Sequence, residues 1–459
     1  MSFNEYFKNS TRNIVMAKVC SFLEKNPEKN TEKLFNLITK LSKDEHSKLA
    51  LESIHSYYNE IPTVKEFVQD ILTTVNPKFL KKFFINFLGN AIWSGGEKRK
   101  KILLSENTKI PFVLLISPSM KCNLHCNGCY AAKYDKSKGL TYEEVDKIIG
   151  EAHDLGIHYI IVLGGEPFFV DFMYDIYKKY NDILFTPFTN GTLITENIAD
   201  KLSALGNVMP MFSLEGFKEE TDLRRGDGTF DMVMAGMDLL KERGIPFGVS
   251  SATSTHNMNT VTSNEFIDML ITKGSKMNWY FMYMPVGEGV NLDNMLTPTQ
   301  RIELGRRTKK IRLTKPYFTI DFFNDAPHVG GCIASKYYCH INSNGDVEPC
   351  VFAHIACDNV KNKSLIDIFR SELFKELRKK QPYNENMLMP CMMIDNTNVI
   401  REVSKKVKAY PTDDSGKNML RNKTFQDKLD KLATDFKPYA DKAWKKDFNC
   451  KGNDKFSKG

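Results

Sequence analysis

Cys122, Cys126 and Cys129 fall within eight residues of one another, in the run SPSMKCNLHCNGCY from 117 to 130. Three thiolates at C-x3-C-x2-C spacing suit three corners of a cubane iron–sulfur cluster and leave the fourth iron without a protein ligand. An open coordination position of that kind marks catalytic metal sites generally. Two other readings compete. One is a structural zinc knuckle with His125 as the nearest fourth ligand. The other is a redox dithiol, for which three cysteines are one too many. The chain holds ten cysteines; Cys20 and Cys450 stand alone, while the other eight form two groups. Cysteines so grouped read as metal ligands or catalytic groups rather than disulfides.

The elements that must position this triad follow from the apolar pattern. Short strand-like runs at 112–116, 159–163, 183–188, 208–214, 246–252 and 279–284 alternate with amphipathic helices expected at 142–155, 171–180, 195–205, 229–243, 259–273 and 299–311. Repeated β-then-α units predict an α/β fold with a parallel sheet, doubly wound or closed toward a barrel, whose site lies at the C-terminal strand ends. The triad follows the first strand. Gly164-Gly165-Glu166-Pro167, Thr189-Asn190-Gly191-Thr192, Ser213-Leu214-Glu215-Gly216 and Met284-Pro285-Val286-Gly287 end the second, third, fourth and sixth. Glycines that allow close backbone approach therefore converge on one rim.

On these residues the stretch from about 112 to 311 resembles the radical S-adenosylmethionine (radical SAM) enzymes. The resemblance implies a partial (β/α)6 TIM-like barrel with a [4Fe–4S] cluster on Cys122, Cys126 and Cys129 and S-adenosyl-L-methionine on the open iron. It further implies reductive cleavage to a 5′-deoxyadenosyl radical that takes hydrogen from an unactivated C–H bond. By the same resemblance Gly164, Gly165 and Glu166 meet the methionyl amino group. Asn190 and Ser213 meet ribose or carboxylate. Arg225, in Asp222-Leu-Arg-Arg-Gly226, meets the carboxylate, and Pro285 and Val286 pack on adenine. One departure is visible: the family often has an aromatic just before the third cysteine, where this chain has Gly128, with Tyr130 just after.

The second group lies in GCIASKYYCHINSNGDVEPCVFAH, 331–354, followed by Cys357 and Cys391. The turn NSNGD at 342–346 predicts a hairpin. Cys332, Gly345 and Cys350 resemble the opening of a SPASM domain whose closing cysteines are missing. This implies a truncated, twitch-like region with one auxiliary iron–sulfur cluster on Cys332, Cys350 and Cys391. Cys357 is the candidate fourth ligand and Cys339 a weaker one. Zinc is the competing metal for the same sulfurs.

Residues 1–105 are expected to form a helical N-terminal domain, with helices at 10–24, 31–41, 43–57, 63–74 and 78–93. Gly95-Gly96 and the basic run at 98–101 should end it. The radical SAM core is expected over 106–315, the SPASM/twitch-like domain over 316–400 and a basic helical tail over 401–459. Hydrophobic residues at 42% and charged residues at 26% fit a folded protein, and no apolar run reaches the ~18 residues of a spanning helix. Met1–Lys18 has no apolar core of secretory type, so a cytoplasmic location is expected, with peripheral contact at the inner membrane face as a variant.

Of the +8 net charge, the tail carries 16 Lys/Arg against 9 Asp/Glu, read as a solvated helix before any nucleic-acid or lipid contact. The helix at 78–93 is read as docking on the barrel through Leu80, Phe84, Phe87, Leu88 and Ala91, with lipid contact as the alternative. The aromatic runs at 279–283 and 317–325 are read first as barrel core and second as an apolar pocket, with Asp321 and Asp325 as acceptors. His256, His328, His340 and His354 receive no role. The expected substrate is a peptide or protein, with a lipid or isoprenoid chain as the rival. A non-catalytic iron–sulfur or zinc protein that binds RNA or a partner is the reading from outside the enzyme class. The family implies a flavodoxin- or ferredoxin-type electron donor.

Overall fold

Alternation along the strands decides what faces the inside of the barrel. The computed structural model describes residues 3–41, 52 and 55–448. Its main sheet holds β1 (Val113–Ile116), β2 (Tyr159–Val162), β3 (Leu184–Thr189), β4 (Met211–Ser213), β5 (Gly248–Thr253), β6 (Met277–Met282), β7 (Phe318–Asp321), β8 (Tyr338–Ile341) and β9 (Val347–Glu348). The order is β7-β6-β5-β4-β3-β2-β1-β8-β9. All six expected strands form, and their neighbours pair in parallel. The sheet then runs past residue 315. β7 joins β6 in parallel, β8 joins β1 in parallel, and β9 returns antiparallel to β8 as the expected hairpin.

Helices cover the outside because their apolar residues recur every three to four positions. The helix Tyr142–Asp154 buries Val145, Ile148, Ile149 and Ala152, and it starts with a capping box between Thr141 and Glu144. Fully burying an isoleucine of this kind stabilises the fold by roughly 1.5–3 kcal/mol. The expected helix at 259–273 is two, Met258–Val261 and Asn264–Thr272, and one at Lys218–Arg225 was not expected.

The N-terminal helices lie at the opposite end of the strands from the cysteines. Most of the helix expected at 43–57 falls outside the described residues. The 78–93 segment forms an α-helix, Pro77–Phe83, that widens into a π-helix, Phe84–Ser94. Its apolar face is packed on the barrel: Phe87 meets Phe112 and Tyr159 edge-on at 6.2 and 5.4 Å.

Gly95-Gly96 does not end this segment, contrary to expectation. The chain continues into a helix, Gly95–Glu106, that stops where Asn107 turns left-handed at φ 48°. The glycine serves close approach instead, since a Cβ on Gly95 would sit 2.3 Å from the Gly156 carbonyl oxygen. The basic tail is also docked. In the helix Lys423–Asp447, Phe436 is buried beneath the Arg301 guanidinium at 3.6 Å, and Arg301 is paired with Asp395. Residues 449–459, including Cys450, lie outside the described residues.

Candidate active site

The loop from Ser117 to Tyr134 leaves the C-terminal end of β1 and carries Cys122, Cys126 and Cys129, all free and half-buried. They line one side of a cavity of about 290 Å³ inside the barrel. Three of the rim motifs, together with Arg224, brace different parts of this loop. The amides of Gly165 and Glu166 donate to the carbonyls of Ser119 and Lys121 at 3.0 and 2.9 Å. Asn190 donates through Nδ2 to Cys122 Sγ at 3.6 Å and to Asn123 Oδ1 at 2.9 Å. Arg224 donates through Nε to the Asn127 carbonyl at 3.1 Å, and the Asn127 amide returns a bond to the Arg224 carbonyl at 2.8 Å. Gly287 lies so close that a Cβ there would come 2.0 Å from the Cys129 carbonyl oxygen.

Three free thiols on one braced loop, facing a cavity, fit an iron–sulfur cluster bound through three corners. Burial pushes the thiols of Cys122 and Cys129 up from their ordinary values, so a bound cation is what would hold them as thiolates. His125, the candidate fourth zinc ligand, lines the same cavity.

The remaining expected contacts fall into two sets. Gly164, Gly165, Asn190, Ser213 and Arg225 line the cavity with the cysteines. Glu166, Pro285 and Val286 are buried behind its wall. The Glu166 side chain is committed to the protein: it accepts from the Thr189 hydroxyl at 2.7 Å and from the amides of Asn190 and Phe168 at 2.8 and 3.0 Å. The motif therefore faces the cavity through its glycine backbone and not through its carboxylate. Arg225 donates from Nε and Nη2 to Glu215, which also binds Arg224 and the Ala252 amide. Burial raises the Glu215 pKa, and the two guanidiniums outweigh it and hold the carboxyl below its usual range.

Across from the cysteines the wall is aromatic. Along β6, Trp279 and Phe281 face the cavity, while Tyr280 points outward and donates to the Val261 carbonyl at 2.8 Å. Phe188 meets Trp279 at 5.6 Å, and Phe281 meets Phe322 at 5.0 Å. The core reading of these strands holds for Tyr280. Trp279 and Phe281 make the pocket.

A second cavity, of about 130 Å³, brings Cys332, Cys350 and Cys391 together. Burial pushes the Cys332 thiol up to about 12 and that of Cys391 well above its usual value. Cys357 is set apart from this group, with Sγ 3.8 Å from the Val407 carbonyl oxygen. Cys339 is buried in β8, in register with Leu114. Asp321 and Asp325 lie at this smaller cavity, and Asp325 is paired with Arg312.

Several residues with evident positional roles carried no sequence signal. His340, buried on β8, bonds Ser117 through Nε2 and Glu348 through Nδ1, each at 2.7 Å. Tyr134, at the end of the cluster loop, donates to the same Glu348 at 2.8 Å. His354 is paired with Asp413 at 2.7 Å. The C-terminal region thus underpins the loop that bears the first three cysteines. Only the alternation within WYFMY, residues 279–283, could have separated cavity-facing aromatics from core.

Comparison with known proteins agrees with this geometry. The model of the radical SAM superfamily matches residues 116–270, and that of an iron–sulfur cluster-binding domain, SPASM, matches 332–399. An AdoMet-dependent heme synthase from Methanosarcina barkeri is 26% identical over 302 residues, 59% of this chain and 86% of the relative. A mycofactocin maturase from Mycobacterium tuberculosis is 26% identical over 289 residues, 59% of this chain and 73% of the relative. Among solved structures, Streptococcus suis SuiB bound to its precursor peptide SuiA shares the fold at TM-score 0.55 and 19% identity, over 69% of this chain and 76% of that one. The chain carries a radical SAM domain over residues 116–270 and a SPASM iron–sulfur cluster-binding domain over 332–399, which together imply a [4Fe–4S] cluster, S-adenosylmethionine and auxiliary iron–sulfur.

Proposed function

We propose that the enzyme modifies an apolar or aromatic side chain of a peptide or protein, inserted into the barrel opposite Cys122, Cys126 and Cys129. The aromatic wall of Phe188, Trp279, Phe281 and Phe322 carries this reading. Such a wall excludes water and offers an apolar group a fitted surface without charged partners. When bound, the cluster supplies the electron that turns S-adenosylmethionine into a hydrogen-atom abstractor. The protein's own part is to hold and orient. The backbone of Gly164 and Gly165 forms one edge of the cofactor seat, Ser213 lies on its floor, and Arg225 brings a cation for a carboxylate. Asn190 keeps Cys122 in place and, with Ser213, faces the ribose or carboxylate side of the seat. Pro285 and Val286 support the adenine side from behind Met284.

Cys332, Cys350 and Cys391 hold the auxiliary cluster, without Cys357. A low-potential flavodoxin- or ferredoxin-type protein is the electron donor. The four-part division at 105, 315 and 400 describes the chain's functional segments, although the main sheet crosses the boundary at 315. The peptide assignment takes support from the structural neighbour SuiB, which was solved with a precursor peptide, SuiA. Against a lipid-facing enzyme stands the helix Pro77–Phe83 and its π-helical extension, whose apolar face is already packed. No helix among the described residues is long and apolar enough to cross a membrane.

The test is a mass comparison of peptides, lipids and porphyrins from three host strains: a deletion, its complement, and a complement with Cys122, Cys126 and Cys129 changed to Ala. A peptide mass shift that needs the intact cysteines is the expected result. A triad-dependent change confined to a lipid or a porphyrin would overturn the peptide assignment.

A further inference from the structure

At the end of the barrel away from the cysteines, three potential metal ligands converge. His153 lies in the last turn of the helix Tyr142–Asp154, His158 directly precedes β2, and Asp182 precedes β3. Their meeting follows from topology, because β2 and β3 are parallel neighbours and the Leu184 amide donates to the His158 carbonyl at 3.0 Å. Asp182 Oδ2 lies 2.9 Å from His153 Nε2 and 4.0 Å from His158 Nδ1, and the three ligand atoms are within 4.8 Å of one another.

His158 carries the argument. It is only 9% exposed, and its Nδ1 is sealed from solvent without a hydrogen-bond partner. A buried polar nitrogen left unpaired costs about 1–3 kcal/mol, and such atoms are rare enough to need an explanation. At 4.0 Å the carboxylate is too far to pair with it directly. Zinc–nitrogen and zinc–oxygen bonds of about 2.0–2.2 Å span a gap of this size.

The site is also held and open. Asn90 donates to the Asp182 carbonyl at 3.0 Å, and Asn86 donates to the carbonyls of Asn181 and Ile183. The side chains of Asp182 and His153 are 43% and 27% exposed, which gives an entry path and room for water as a fourth ligand.

We infer that His153, His158 and Asp182 form a binding site for a borderline divalent cation, Zn²⁺ by preference, separate from both iron–sulfur regions. Two imidazoles, one carboxylate and a water make a normal zinc set. The bound ion would join the helix Tyr142–Asp154 to the starts of β2 and β3. A proton shared between His153 and Asp182, with no metal, is the competing account.

The test uses holoenzyme with its iron–sulfur clusters reconstituted, so that the cysteines are occupied. After treatment with a mild chelator, one equivalent of Zn²⁺ is added and unbound metal is removed by gel filtration. Elemental analysis should find about one zinc per chain with iron unchanged, and zinc K-edge absorption should show only nitrogen and oxygen neighbours near about 2.0–2.1 Å. His158→Ala and Asp182→Asn should each weaken zinc binding by more than about tenfold without loss of iron. Zinc that washes out of the wild type, or a shell containing sulfur at about 2.3 Å, would overturn the site. Variants that retain zinc as the wild type does would overturn it equally. The wild-type absorption spectrum decides the matter even if a variant fails to fold.

Discussion

The phenol of Tyr338 lies 2.8 Å from Cys350 Sγ, and both groups are buried. Tyr338 also lines the aromatic cavity and, with Phe322, Ile333 and Phe352, forms the wall between that cavity and the second cysteine group. Burial, and then the neighbouring thiols, push its pKa well above the usual value and keep it a hydrogen-bond donor near neutral pH. Hydrogen bonds to cluster sulfurs are among the terms that set reduction potentials. Tyr338→Phe is expected to lower the auxiliary cluster's midpoint in a redox titration followed by electron paramagnetic resonance. It should leave the first cluster unchanged and cost about 1 kcal/mol of stability. An unmoved auxiliary midpoint would show that the bond has no electronic role.

Glu215 is buried, with its charge balanced by Arg224 and Arg225. Removing one partner leaves buried charge unbalanced, a change that typically costs about 3–5 kcal/mol. The second arginine should reduce this, so Arg225→Ala is expected to cost about 2–3 kcal/mol in chemical denaturation. The same variant should lose S-adenosylmethionine binding by equilibrium dialysis. Glu215→Gln should retain binding better, because both cations remain.

Gly287 has φ 91°, and a Cβ there would strike the Cys129 carbonyl oxygen at 2.0 Å. Gly287→Ala should therefore move the third cysteine of the loop. The expected result is reconstituted iron at roughly half that of wild type or less, with far-ultraviolet circular dichroism retained, since strain of this kind costs on the order of 1–3 kcal/mol locally. Wild-type iron content in this variant would mean that the loop tolerates the displacement.

Burial raises the Asp321 carboxyl from 3.8 to about 6, against hydrogen bonds from the Asn324 amide and side chain. The folded state therefore prefers the protonated form. The stability it adds is full below pH 3.8 and is lost as pH rises through about 6. Apoprotein stability should fall by on the order of 2 kcal/mol from this group between about pH 4 and 7. Asp321→Asn should flatten that part of the profile in denaturant titrations at a series of pH values.

Features legible in the sequence were those written locally. The spacing of Cys122, Cys126 and Cys129, the glycine-bearing strand ends and the turn at 342–346 each occupy a few consecutive residues. What escaped depends on distant partners. Ser117 and His340 stand 223 positions apart, and nothing about either residue announces the other. Gly95-Gly96 misled because glycine marks both chain breaks and close contacts, and only the neighbouring Gly156 decides between them. The helix Lys218–Arg225 was missed because its composition is almost wholly polar, with only Thr221 buried. The grouping of Cys391 with Cys332 and Cys350 came from the family resemblance, since a cysteine that far along the chain has no spacing rule to place it.

The parallel pairing of Val113–Ile116 with Tyr338–Ile341 has a consequence for the protein as it is made. A ribosome must add 225 further residues after Val113 before Tyr338 exists to cover that side of the first strand. At about 5–20 residues per second, this takes on the order of 10–45 seconds. For that interval the nascent barrel presents a bare, aliphatic strand edge, the kind of surface that recruits other chains. Translation speed through the second half of the message therefore sets how long the growing polypeptide needs protection.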